Sequence, residues 1–221
     1  MPTVGTILDL LPWVIFAPAL PLLFILINKA YGNGRQTSLV LLCVITIFTN
    51  IFLLLAARSS VEPRFLHVSF VADFLFTLLL LKNCTDHRII RFSIFTILLA
   101  FIAVYLSLQY FSVETVGIQD LNFTGTAIVF VLAILVLASL TKRVENNILT
   151  SPDFWYSGGI FFHFGLLSLL LFTGRKIADL NYHEKDALSA LYAIIFCLQF
   201  VFFTVGVYFH KPWIRNNRAS F

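Results

Sequence analysis

Two ionisable residues, Asp73 and His163, stand inside long apolar stretches of this sequence. An ionisable side chain in the middle of a bilayer-spanning helix is costly, so it marks a functional site unless it only joins helices. A carboxylate beside an imidazolium would offset part of the desolvation cost of both groups. Alternatively, burial would keep Asp73 protonated, and it would then donate a hydrogen bond. The two residues could therefore bind a small ligand, transfer a proton, join helices or take part in catalysis.

Further polar residues share helical faces with these two. Ser69 and Thr77 lie four residues on either side of Asp73, and Tyr156 precedes His163 by seven. These spacings place the side chains on one face of a helix, and such faces should point inward because lipid offers them no hydrogen-bond partner. The full set of predicted ligand-binding residues is Asn50, Ser69, Asp73, Tyr156, His163, Tyr192 and Gln199.

The elements that must position these residues follow from the apolar stretches. The chain has 221 residues, of which 59% are hydrophobic and 12% are charged, whereas soluble domains carry roughly 25% charged residues. About 20 apolar residues cross the hydrocarbon layer as a helix. Seven stretches meet this length, at about 7–27, 37–57, 65–82, 92–111, 123–141, 154–173 and 187–209. We therefore predict an all-α polytopic membrane protein in which residues 1–221 form one domain of seven transmembrane helices.

The orientation of the chain follows from its basic residues, which concentrate on the cytoplasmic side of membrane proteins. With the N-terminus outside, ten lie in the inner segments and five in the outer ones. The inner residues are Lys29, Arg35, Lys82, Arg88, Arg91, Lys142, Arg143, Lys211, Arg215 and Arg218, and the outer ones are Arg58, Arg64, Arg175, Lys176 and Lys185. We therefore predict an outer N-terminus and a cytoplasmic C-terminus.

Proline and glycine predict local features of two helices. Pro18 and Pro21 each remove a backbone donor from the first helix and should kink it, which a membrane helix tolerates when neighbouring groups satisfy the freed carbonyls. The run Ser151-Pro152-Asp153 is typical of a helix start. Gly158, Gly159 and Gly165 predict close packing of the sixth helix against its neighbours.

Several functional classes find no support in the motifs. No apolar stretch carries the central Lys of a retinal protein, and the sequence contains no HExxH, GxSxG or P-loop motif. Of the possible metal ligands His67, Asp73, His163 and His210, we expect His67 near the outer edge of the membrane and His210 near the inner one. The four residues should therefore not share one metal ion. We therefore predict no cofactor, metal or catalytic residue. The positive charges lie in short loops, as orientation requires, and do not indicate nucleic acid binding.

Two motifs resemble those of a known group of proteins. The run from Phe70 to Phe74, followed by Lys82 and His87-Arg88, is similar to the third helix of uncharacterised small seven-helix membrane proteins of Bacteroidetes-type bacteria. The run from Ser151 to Gly159 resembles their Pro-x-Phe-Trp-x-x-x-Gly signature, although those proteins usually have Tyr at the position of His163. The resemblance implies the seven-helix fold, the bacterial inner membrane and a sensor or receptor role.

These observations favour a membrane sensor as the leading functional hypothesis. It would bind a small or lipidic ligand inside the bundle, and its basic cytoplasmic loops would contact a signalling protein or anionic lipid headgroups. A small-molecule or proton-coupled transporter using Asp73 and His163 is the alternative. An intramembrane enzyme acting on lipid is the third hypothesis.

Overall fold

Seven α-helices account for nearly all of the protein that the structure describes. The structure is a computed structural model and describes residues 14–28, 34–57, 64–110, 115–143, 147–174 and 182–218. We number the helices α1 Ala19–Asn28, α2 Gly34–Ala57, α3 Arg64–Cys84, α4 Arg88–Tyr110, α5 Thr115–Arg143, α6 Pro152–Gly174 and α7 Tyr182–Arg218. A 3₁₀ turn, Ile148–Thr150, precedes α6. No β-strand occurs within these ranges.

Several helices extend beyond the apolar stretches that predicted them. The break between α3 and α4 comprises only residues 85–87, where we expected a polar segment from 83 to 91. Helix α5 begins eight residues before the predicted stretch at 123, and α7 exceeds the stretch 187–209 at both ends. Backbone hydrogen bonds continue a helix through polar residues as readily as through apolar ones. Positions 7–13 of the first predicted stretch lie outside the described residues.

The helices pack as a closed ring in chain order. Each helix contacts the next, and α1 completes the ring by packing against α7. Helix α3 also contacts α5 and α6, so it lies nearest the centre of the bundle. The ring places the beginnings of α2, α4 and α6 and the ends of α3, α5 and α7 at one end, which we call the Arg35 end. Asp73 on α3 and His163 on α6 therefore belong to neighbouring helices.

The outer surface of the bundle is apolar, while polar side chains lie inside it. Ile27, Phe48, Phe92 and Leu169 are each more than 60% exposed, whereas Thr46, Thr77, His163, Gln199 and His210 are buried. Soluble proteins rarely expose such extensive apolar surface. Within the described ranges, four helical segments are long and apolar enough to cross a membrane: Gly34–Phe52, Arg88–Ser107, Phe123–Lys142 and Ala190–His210. Together these features indicate a helical membrane protein.

The proline-rich start of the first helix is broken where the sequence predicts a kink. A turn at Ala17 and Pro18 separates helical residues 14–16 from α1. Because prolines have no N–H, Pro18 and Pro21 leave the carbonyls of Val14 and Ala17 without their usual helical donors. The Nδ2 amide of Asn50 in α2 donates to the Val14 carbonyl at 3.2 Å. The N–H of Leu20 donates to the Ala17 carbonyl at 3.3 Å. Both freed carbonyls thus have donors.

Helices α6 and α7 approach closely because glycine lies at their contacts. A Cβ on Gly159 would lie 2.9 Å from Cβ of Phe202 and 3.1 Å from the carbonyl oxygen of Gln199. A Cβ on Gly206 would overlap the ring of Tyr156. Gly165 serves the other side of α6, where it packs against the ring of Phe130. The predicted packing role of Gly159 and Gly165 is therefore confirmed.

The hydrogen bond from Asn50 gives a first prediction. Replacing Asn50 with Leu should lower the free energy of unfolding by about 1 kcal/mol, because the Val14 carbonyl loses its donor. In a Pro18→Ala background the same substitution should cost less, since residue 18 regains an N–H. Denaturant unfolding in detergent micelles measures both values. An equal loss in the two backgrounds would show that Asn50 acts in another way.

Two adjacent glycines of α6 give a second prediction with its own control. Gly159→Ala should destabilise the protein by about 1–3 kcal/mol, because backbone and the base of Phe202 cannot move away from the new methyl group. Gly158→Ala should be tolerated, since its methyl group would lie at an ordinary 3.5 Å from the ring of Phe202. Thermal unfolding of the two variants in one detergent makes the comparison, and similar melting temperatures would refute this account.

Candidate functional site

A cavity of about 70 Å³ lies between α2, α3, α6 and α7. Polar and aromatic side chains from all four helices surround it. It is lined by Leu42, Thr46, Asp73, Phe74, Thr77, His163, Phe164, Leu167, Tyr192, Phe196, Gln199 and Phe200. On α3 and α7 these residues recur at helical spacing, so each helix presents one face to the cavity. A cavity of this size has room for a few water molecules or a guest of a few heavy atoms.

In the described part of the chain, Asp73 forms a hydrogen bond with one hydroxyl group, that of Thr46 in α2. Oγ1 of Thr46 lies 3.0 Å from Oδ1 of Asp73 and 2.8 Å from the carbonyl oxygen of Leu42. A hydroxyl has one proton, so Thr46 can donate to only one of these oxygens at a time. An ionised Asp73 accepts that proton, whereas a protonated Asp73 donates its own to Thr46, which then donates to Leu42. Thr46 can thus accommodate both states of the carboxyl group.

His163 lines the cavity, and one of its ring nitrogens has no hydrogen-bond partner among the described residues. Its side chain is 7% exposed, and its Nδ1 atom has no hydrogen-bond partner in the described part of the chain. The imidazole forms a hydrogen bond with the backbone of Ile195. Its ring makes edge contacts with Phe164 and Phe196, with centroids 5.0 and 6.0 Å apart. A buried nitrogen without a partner is uncommon, so a guest in the cavity would complete its hydrogen bonding.

The structure brings four of the predicted site residues together, namely Asp73, His163, Tyr192 and Gln199. Gln199 is buried, whereas Tyr192 is 43% exposed and stacks on Phe196 at the edge of the cavity. Asp73 and His163 face the same space. Both are described residues, and they form no ion pair with each other. The hypothesis of a direct carboxylate–imidazolium pair is therefore not supported by the geometry.

The other three predicted ligand-binding residues are Asn50, Tyr156 and Ser69. Asn50 donates to the Val14 carbonyl and does not line the cavity. Tyr156 is buried two helical turns from His163, and its hydroxyl accepts a hydrogen bond of 2.9 Å from Nε2 of Gln36. The side chain of Ser69 lies outside the described residues. Thr46 and Thr77 were missed as ligand-binding candidates, although Thr77 shares a helical face with Asp73.

A second polar cluster surrounds Arg35, at the Arg35 end of the bundle. The guanidinium forms a salt bridge of 3.2 Å with Asp153, whose side chain is only 8% exposed. Its Nε donates to the carbonyl of Asn83 at 2.7 Å. Asp153 lies in the first turn of α6, after Pro152 at the helix start, and Asn83 lies in the last turn of α3. Arg35 therefore joins three helices and satisfies an end carbonyl of α3.

Four uncharged polar side chains extend this cluster into the bundle. Gln36, Cys84, Tyr156 and Ser157 are all at most 1% exposed, and Oε1 of Gln36 has no partner among the described residues. The Cys84 side chain is fully buried within this cluster and has no contact with solvent.

A layer of apolar side chains separates the cavity from this cluster. It consists of Leu39, Leu81, Ile160 and Phe203, one from each of α2, α3, α6 and α7, and all four are fully buried. The ring of Phe203 contacts Phe200 of the cavity wall on one side and Tyr156 on the other, at centroid distances of 5.6 and 6.3 Å. The two polar regions are thus separated from one another by tightly packed side chains.

Within the described residues, no three His, Cys, Asp or Glu side chains are arranged to hold a metal ion. The polar groups of the cavity come from four helices, with two each from α3 and α7 and one each from α2 and α6. They can donate or accept hydrogen bonds and can exchange a proton at Asp73 or His163. This arrangement suits the non-covalent binding of a small polar guest.

The salt bridge gives a third prediction. Asp153→Asn should lower the free energy of unfolding by about 3 kcal/mol, because it removes one partner of a largely buried ion pair and leaves the other. Asp86→Asn is the matched control. Its carboxylate is 51% exposed and 3.9 Å from Arg35, so its loss should change stability little. Unfolding in detergent compares the two, and equal effects would contradict the assigned role of Asp153.

Comparisons of this chain with protein-family models, with curated proteins and with solved structures find no match.

Proposed function

We propose that this protein is a seven-span membrane sensor that binds a small ligand in the cavity between α2, α3, α6 and α7. The observation that carries the proposal is the cavity itself, which Asp73 and His163 both line inside an apolar helical bundle. Among the described residues, Nδ1 of His163 has no hydrogen-bond partner. Polar groups without partners at this depth are costly, and a ligand would satisfy them. The cavity is too small for an acyl chain, which favours a small ligand over a lipidic one.

The proposed orientation places the Arg35 end in the cytoplasm, at the inner membrane of a bacterium. Arg35, Lys82, Arg88, Arg91 and Lys142 all lie at or near this end, in agreement with the bias of basic residues toward the cytoplasm. The side chains of Arg88, Arg91 and Lys142 are exposed there. They offer a surface for a cytoplasmic signalling protein or for anionic lipid headgroups.

The apolar layer connects the cavity to the Arg35 cluster, as a sensor would require. Its side chains Leu39, Leu81, Ile160 and Phe203 are all buried. Phe200, Phe203 and Tyr156 form successive ring contacts across this layer, and Tyr156 hydrogen-bonds to Gln36, the neighbour of Arg35. A ligand that moves Phe200 would therefore shift groups that hold the Arg35 cluster together.

A fourth prediction tests whether Asp73 is present for ligand binding or for the stability of the fold. Residues kept for binding often cost stability, so Asp73→Leu should leave the unfolding temperature unchanged or raise it by a few degrees. If Asp73 instead stabilises the fold, Asp73→Leu should clearly lower the unfolding temperature. Thr204→Val is the control, because among the described residues the Thr204 hydroxyl bonds only to the Phe200 carbonyl of its own helix and should contribute little to stability.

Proteoliposomes test the sensor against the transporter. A pH gradient is imposed across the vesicle membrane, and a pH-sensitive dye inside the vesicles reports its decay. If the protein is a sensor, the gradient should decay no faster than in protein-free vesicles. A faster decay that Asp73→Asn abolishes would establish proton transport and refute the sensor proposal.

A further inference from the structure

The cavity combines a single carboxyl group with a largely aromatic wall. Five of its twelve lining residues are Phe or Tyr: Phe74, Phe164, Tyr192, Phe196 and Phe200. Asp73 is the only acidic lining residue, and no Lys or Arg lines the described walls. We propose that the cavity binds a small organic ammonium cation, with Asp73 as the counter-ion. This inference rests on the proposed function of the cavity as a ligand site and names the chemical class of the ligand.

Charge is the first argument for a cation. No described basic side chain forms an ion pair with Asp73, and among the described residues its one hydrogen-bond partner is the neutral hydroxyl of Thr46. An ionised carboxylate in this position lacks a counter-ion, which a cationic guest would supply. An anionic guest would instead be repelled by the ionised Asp73. A neutral guest would leave the carboxylate uncompensated unless Asp73 stayed protonated.

The aromatic wall is the second argument, and it separates an organic cation from a metal ion. Aromatic rings carry negative charge on their faces and attract cations, and ring-lined sites are the usual recognition sites of organic ammonium groups. Sodium ions need a shell of oxygen ligands, but the oxygen-bearing side chains here share the wall with five aromatic rings. The methyl or methylene groups of an alkylammonium ion would pack against these rings, which a hydrated metal ion could not do.

The hydrogen-bond acceptors and the size of the cavity favour a small primary ammonium ion within this class of ligands. The second oxygen of Asp73 makes no hydrogen bond within the described residues, and Nδ1 of His163 has no partner there. Both can accept an N–H, as can the side-chain oxygen of Gln199 in the same wall. A primary ammonium has three N–H donors for these acceptors. The volume of about 70 Å³ suits a guest of a few heavy atoms, such as ethylammonium.

Binding of ethylammonium chloride to the purified full-length protein in detergent tests this inference. Sodium chloride and sodium acetate at the same ionic strength are the controls, and ethanol is the neutral probe. Ethylammonium should raise the unfolding temperature in a concentration-dependent way, and the three other probes should not. Isothermal titration should show the affinity for ethylammonium falling at least tenfold in Asp73→Asn.

Matched variants separate local effects from general ones. Asp86→Asn removes an exposed carboxylate at the Arg35 end and should keep the wild-type affinity. Phe200→Leu, in the cavity wall, should weaken binding severalfold, whereas Phe92→Leu, on a ring 70% exposed on the outer face, should not. Each variant is first compared with the wild type by its unfolding transition without ligand. Should Asp73→Asn fail to fold, Phe200→Leu alone still tests the aromatic wall.

The remaining outcomes distinguish this inference from the proposed function. Equal stabilisation by sodium chloride, or undiminished ethylammonium binding to Asp73→Asn, overturns the ammonium assignment. If ethanol or acetate binds and His163→Gln abolishes that binding, the ammonium assignment is also wrong. The cavity would in that case still be a ligand site. If no probe binds and Asp73→Leu lowers the unfolding temperature, both the assignment and the proposed function are wrong.

Discussion

The structure depends on one constraint, that a polar group among apolar side chains must find its partner inside the protein. Thr96, Ser107 and Thr204 meet this constraint locally, since each hydroxyl donates to the carbonyl four residues earlier in its own helix. The carbonyl left free by Pro18 meets it across helices, through Asn50. Because these needs are met almost everywhere, the exceptions are informative.

The exceptions concentrate in two places. Nδ1 of His163 is unpartnered in the cavity, while Oε1 of Gln36 and Oγ of Ser157 are unpartnered near the Arg35 end, all within the described residues. A further case, Oγ of Ser168, lies beyond His163 along α6. Water or a ligand could supply hydrogen-bond partners to these atoms. The same constraint thus holds the bundle together and leaves its candidate sites open.

Helices α6 and α7 connect these two places. Their close contact at Gly159 and Gly206 leaves no room for lipid between them, and it seats Tyr156 directly against α7. Helix α6 carries His163 in the cavity and Asp153 in the salt bridge, with Tyr156 and Ile160 between them. A displacement of α6 would change both regions together, because a helix transmits motion along its axis as a nearly rigid rod.

The amino-acid sequence alone determined the helices, the inward position of Asp73 and His163, and the kink at Pro18. The helices follow from the apolar stretches, the inward position from the lack of hydrogen-bond partners in lipid, and the kink from the missing N–H of proline. The bounds of α5 and α7 escaped prediction, since polar residues continue a helix without leaving an apolar trace. Only the tertiary structure decided that Asn50 supports the first helix, that Tyr156 belongs with Gln36, and that Arg35 pairs with Asp153. These partners lie 36 to 120 residues apart in the chain. Their meeting depends on how each helix is rotated and packed against the others, which no local pattern specifies.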